Sequence, residues 1–170
     1  MDDNTFPNLT AALAEYGEAV QKLYRDKLIY HDNVATGNLL RSVQYRVNAN
    51  GTIYEVTLSL ADYWKYIETG VHAGGRMPPP SKILEWIVAK PVLPRPDDRG
   101  RVPKPEQLAW AIAKKIQRDG IPAPAEPPLA TTLDEVNRQY RAKIAAAFQA
   151  DTMQLLRLDA MNGSPFSRLP

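Results

Sequence analysis

Two runs of alternating residues, separated by Asn50-Gly51, restrict this chain more than any other feature. Val43, Tyr45 and Val47 alternate with Gln44, Arg46 and Asn48, and Tyr54, Val56, Leu58 and Leu60 alternate with Glu55, Thr57 and Ser59. A period of two marks a strand with one buried face. Asn-Gly suits a two-residue type I′ turn, which needs positive φ at both central positions. With Asn50-Gly51 as the turn, Val47 faces Tyr54, Tyr45 faces Val56 and Val43 faces Leu58, and six apolar residues share one face. A slip of one residue would scatter them. Two strands are marginal in water, so the hairpin must pack on helices or gain further strands.

Helical spacing brackets the hairpin. Leu9, Leu13, Tyr16, Val20, Leu23 and Lys27 step by four and three, which predicts an amphipathic helix over residues 8–30. Asn8 or Thr10 is the expected cap. After the hairpin, residues 62–69 read as a short helix stopped by Gly70. A Gly/Pro loop leads to a helix over 82–90 capped by Ser81, with Ile83, Trp86 and Ile87 on one side. The proline-rich stretch 91–105 reads as a projecting loop. Pro105 opens another helix, ending before Gly120, with the apolar line Leu108, Ile112 and Ile116. A second proline-rich segment precedes a last helix over 132–158, about 40 Å long at 1.5 Å per residue. Its apolar line runs through Leu133, Val136, Tyr140, Ile144, Phe148 and Leu155 and is interrupted near Asp151.

These elements predict an α+β fold: an antiparallel sheet built on the hairpin, packed by long N- and C-terminal helices, with an inserted helical pair. The 170 residues suit a single domain. Its core would be about 9–80 and 121–158, its inserted lobe about 81–120, and its C-terminal arm 159–170. The chain has no cysteine, which excludes disulfides, thiolate metal sites and cysteine catalysis. The start Met1-Asp2-Asp3-Asn4 does not resemble a secretory signal, and no apolar run reaches the ~20 residues of a membrane helix. Synthesis in a cytoplasm is expected. The net charge of +2 is too small, taken alone, to argue for nucleic-acid binding.

Residues that could carry chemistry are few. Glu68 and His72 stand four apart, but Gly70 breaks the helix between them and no third ligand is spaced to complete a metal site. His31-Asp32 suggests a base with its carboxylate, yet adjacent residues do not face one another. There is neither a Gly-x-Ser-x-Gly elbow nor a glycine-rich phosphate loop. No enzyme activity, metal or cofactor is expected. Tyr63, Trp64 and Tyr66, with Lys65 beside them, read either as a base-stacking platform or as core on one side and interface on the other; the low net charge favours the second. Lys114, Lys115 and Arg118, with Arg95, Arg99 and Arg101, are the main basic cluster. It is either a solvated face or a sequence-blind phosphate contact.

The order of pieces resembles the tailed-bacteriophage family of head–tail joining and tail-completion proteins, whose members include minor tail components. An opening helix precedes Thr36-Gly37-Asn38-Leu39, which runs into the hairpin. Tyr63-Trp64-Lys65-Tyr66-Ile67-Glu68-Thr69-Gly70 follows, then a Gly/Pro loop from His72 to Pro80. Lys82 to Ile87 and Ala109 to Ile116 are similar to the family's inserted helical pair. Gly120 to Leu129 corresponds to its closing pattern, although Pro128 stands where phenylalanine is usual and Thr131-Thr132 where Pro-Ala is common. The resemblance covers about residues 9–148.

The resemblance implies a structural virion protein, made in a bacterial host and placed in the neck. There it would form a homo-oligomeric ring of six or twelve copies. Its partners would be a head-side connector or portal-associated protein and a tail tube or tail terminator protein. Interface candidates are Tyr63, Trp64, Tyr66, Glu68, His72, Arg76, Met77, Leu93, Arg95, Arg99, Arg101 and Phe166. Lys114, Lys115 and Arg118 are candidates to face genomic DNA in the channel. The loop 91–105 and the tail 160–170 are expected docking arms. The competing readings are a tail terminator or other minor tail component, a nucleic-acid-binding module, and a small hydrolase.

Overall fold

The fold is α+β. A computed structural model describes residues 6–31, 37–50, 53–90, 92, 94–96 and 100–161. Among these the order is α1 (Pro7–Tyr30), α2 (Asn38–Ser42), β1 (Gln44–Asn50), β2 (Ile53–Ser59), α3 (Trp64–Thr69), α4 (Pro80–Ala89), α5 (Pro105–Asp119) and α6 (Pro128–Met161). No described helix is long and apolar enough to cross a membrane. The chain divides into two compact units. The first comprises the described parts of Met1–Leu23, Gln44–Ser59 and Thr132–Pro170, and the second those of Tyr24–Val43 and Leu60–Thr131. The second unit joins the helical pair to the described parts of 24–43, 60–80 and 121–131.

In the first unit the hairpin is antiparallel, but its register is offset from the expected one. Asn50 pairs with Ile53, Val47 with Val56 and Tyr45 with Leu58. Asn50 therefore belongs to the ladder. The link is Gly51-Thr52 rather than Asn50-Gly51, and it lies outside the described residues. Because the offset is two in the sum of partner numbers, the faces are preserved. Tyr45, Val47, Ala49, Tyr54, Val56 and Leu58 are half-buried while their neighbours are exposed. The periodicity fixes the face, and only the turn fixes the pairing.

That face meets α1 and α6. The Tyr45 ring lies against Gly17, where an added Cβ would come within 2.4 Å of the ring. Phe6 packs edge-on to Tyr54 at 5.3 Å and stacks on Phe148 at 5.5 Å. Tyr16 meets Tyr140 edge-on and donates its hydroxyl to Asn137 at 2.9 Å. The start of α1 is closed from afar: Asp151 of α6 accepts the amides of Asn8 and Leu9 at 3.2 and 2.8 Å, and the Asn8 side-chain amide at 2.5 Å. Asp151 is buried, which explains the break it makes in the apolar line of α6. The expected caps act otherwise. Asn8 is inside the first turn, and the Thr10 hydroxyl donates back to the Phe6 carbonyl.

The second unit is built around Tyr24 and Leu28 of α1, Leu39 and Val43 near α2, and Ile87, Ala109 and Ala113 of the helical pair, all buried. Gly37 stands at the N-cap of α2 with φ 71° and Leu39 enters the core, giving part of the Thr-Gly-x-Leu motif a structural meaning. Arg25 donates to the carbonyls of Leu40 and Val43 at 3.2 and 2.8 Å, and the Ser42 hydroxyl accepts the Ala61 amide at 2.9 Å. Helix α4 begins at Pro80, one residue before the expected cap Ser81, and α5 begins at Pro105 as the proline suggested.

The helical pair hangs on a two-residue bridge. Val71 and Ile121 exchange both backbone hydrogen bonds, each 2.8 Å. The residue before each is a helix-ending glycine: Gly70 at φ 68°, ψ −161° and Gly120 at φ 73°, ψ −171°. Only glycine settles in that region. A Cβ on Gly70 would stand 2.2 Å from the Ile121 carbonyl oxygen, and one on Gly120 2.4 Å from that of Val71.

Candidate interaction surface

Helix α6 starts four residues earlier than its apolar spacing suggests, at Pro128. Proline fits the first helical position, where no amide partner exists to lose. The residue before it, Pro127, has no side chain able to cap. Glu68, at the end of α3, supplies the missing acceptor: it takes the Leu129 and Ala130 amides at 2.8 and 3.3 Å. The Thr131 hydroxyl donates to the Pro127 carbonyl at 2.9 Å. Each step repeats the start of α1, where Pro7 leads, Asp151 accepts the next two amides, and Thr10 bonds back. A carboxylate at a helix N-terminus also faces the positive end of the helix dipole.

Glu68 is thus buried and engaged within the chain rather than displayed on an outer face. Its neighbour Tyr24 is wholly buried, and its hydroxyl has no hydrogen-bond partner among the described residues. Burial raises the Tyr24 phenol well above its ordinary value of 10.0, with added contributions from the charges of Glu68 and Tyr63.

The two tyrosines at and on α3 are on the surface. Tyr63 and Tyr66 are exposed, Trp64 is half-buried, and the Lys65 ammonium lies 5.8 Å from the Tyr66 ring centroid. His72, Arg76, Arg95 and Arg101 are exposed and Met77 half-buried. Leu93, Arg99 and Phe166 lie outside the described residues, as does the tail 162–170 of the expected docking arm. Among the described residues no group of three His, Asp or Glu side chains stands where it could hold a metal ion.

The structure brings Lys114, Lys115 and Arg118 together on α5, with two residues the sequence reading left out. Trp110 is 52% exposed, and the Lys114 ammonium lies 4.9 Å from its ring centroid. Asp119 is bonded by both Lys115 and Arg118 at 2.6 Å. The Arg118 hydrogen bond first, and the Lys115 bond second, hold the Asp119 carboxyl far below the usual carboxylate range. The steps of four from Trp110 to Lys114 to Arg118 could have revealed the stripe from sequence. The Gly74 amide donates to the Gln117 carbonyl at 2.7 Å, which sets the 72–75 turn beside this face.

The lobe also displays apolar surface. Trp86, Val88 and Val102 are exposed along with Trp110. Large apolar groups exposed in numbers on a small element are typical of surfaces that become covered. No protein-family model, curated protein or solved structure matches the chain.

Proposed function

We propose that the protein is a structural component of a tailed-phage particle, one copy of a ring in the neck that joins the head connector to the tail. One juxtaposition carries the reading. Two of the sequence elements that resemble the head–tail joining family, Tyr63 to Gly70 and Gly120 to Leu129, meet through the Val71–Ile121 bridge and the Glu68 cap. The bridge and the cap tie together the two ends of the segment that carries the helical pair.

The role is mechanical. Tyr63 at the N-cap of α3, Tyr66 on α3, and Trp86 and Val88 on α4 supply the exposed anchors that subunit interfaces favour. Copies meet by heterologous contacts that close into a ring, of six or twelve by family analogy. The partners of such a ring are the head-side connector and the tail tube or terminator. Removing the gene from its parent phage tests this. Filled heads and finished tails that accumulate unjoined are expected, and a normal yield of infectious particles would overturn the reading.

A further inference from the structure

Helix α5 carries a compact electropositive shelf that ring formation does not require. Trp110, Lys114 and Arg118 stand one above another, Lys115 flanks them, and Gly74 and Gln117 complete a shallow open cleft. Of the three cations lining the cleft, Lys115 and Arg118 share one carboxylate, Asp119, while Lys114 lies over the Trp110 ring, so three positive charges stand against one negative. All three cations are exposed, and exposed ion pairs such as those to Asp119 exchange readily for other anions.

We infer that this shelf binds the phosphate backbone of a nucleic acid without reading its sequence. Charge complementarity selects an anion, and the shape selects a continuous one. The cleft is open, which suits a backbone lying across it rather than a peptide side chain seated within it. Lys114 and Arg118 are about 6 Å apart along the helix axis, so both face the same strand. The indole, half exposed one turn before Lys114, offers the flat surface on which bases or sugars rest beside a cationic track. Its contact with Lys114 holds that ammonium over the cleft. The site belongs to a single copy of the chain and does not depend on the neck reading.

The test is fluorescence anisotropy of labelled single-stranded and duplex oligonucleotides with the full chain, from about 50 to 200 mM salt. Binding to either form is expected, with affinity falling by a log–log slope of about −2 to −3 for three phosphate contacts. The triple variant Lys114→Glu, Lys115→Glu, Arg118→Glu should bind at least tenfold more weakly. Asp119→Asn, which frees two cations, should bind about two- to fivefold more tightly. A control with the same net charge, Lys22→Glu, Arg138→Glu, Arg141→Glu, should stay within about twofold of the parent. Circular dichroism establishes that each variant is folded. Three results would overturn the inference: no binding by the parent at the lowest salt, equal losses in both triple variants, or polyglutamate competing as well as DNA.

Discussion

The Glu68 carboxylate accepts the Leu129 amide at 2.8 Å, across 61 positions of sequence. One side chain thereby closes the start of α6 and ties the end of α3 to it. Glu68 is buried and its bonds to Leu129 and Ala130 are part-buried, so removing the carboxylate leaves two amides at the helix start without their acceptor. Glu68→Ala should cost about 2–3 kcal/mol. Glu68→Gln, which keeps the volume and one acceptor, should cost about 1 kcal/mol. Urea unfolding at constant slope measures both; an alanine variant within about 0.5 kcal/mol of the parent would rule the cap out.

Asp151 makes the parallel case in the other unit. It receives the Asn8 and Leu9 amides and the Asn8 side chain. Asp151→Ala should cost about 2–3 kcal/mol, and Asp151→Asn less. Hydrogen exchange should show the first turn of α1 losing protection in the alanine variant while the hairpin keeps its own.

Gly70 and Gly120 allow two carbonyls to approach where a Cβ would collide. Gly70→Ala or Gly120→Ala should destabilise by at least about 3 kcal/mol, combining a disfavoured φ with a backbone clash. Gly74→Ala is the control. It has a positive φ but open space around it, so its cost should be about 1 kcal/mol. Equal losses at all three positions would show that the close approach contributes nothing.

The hairpin, the helices and the apolar stripes were legible because each rests on a local period. The register was not, because a shift of two keeps every side chain on its face, and only the Gly51-Thr52 link distinguishes the pairings. The caps were not legible either. Proline at positions 7 and 128 marks a helix start, but the acceptors, Asp151 and Glu68, come from distant sequence. Glu68 read as an interface residue, whereas it serves the fold; Asp151 read only as a flaw in a stripe. On α5 the basic residues were visible, while the contacts that Trp110 and Asp119 make with them were not.

Tyr24 gives a pH dependence. Its folded-state ionisation is raised above the ordinary 10.0 by burial, then by the Glu68 charge. A raised value means the folded state holds its proton longer than the unfolded chain. The associated stability is therefore complete below about pH 10 and is lost as the pH climbs from there towards the raised folded value, at about 1.4 kcal/mol per unit. Tyr24→Phe should flatten that loss. It should also match or exceed the parent at neutral pH, since the hydroxyl it removes is buried without a hydrogen-bond partner. A steeper alkaline loss in the phenylalanine variant would contradict this.

Tyr63 at the N-cap of α3 and Tyr66 on α3 are exposed, so their removal should leave the isolated subunit intact. The double variant Tyr63→Ala, Tyr66→Ala should change subunit stability by no more than about 1 kcal/mol. Its assembled fraction should fall at least tenfold, the scale of losing 1.4 kcal/mol at an interface. Sedimentation velocity reads both species. Undiminished assembly would remove these tyrosines from the interface.

Native mass spectrometry of the purified full chain, over a concentration series, bears most directly on the proposed ring. The account predicts one closed oligomer of fixed copy number that gains population as concentration rises. A monomer persisting to high concentration, or an open ladder of sizes without a preferred number, would contradict it.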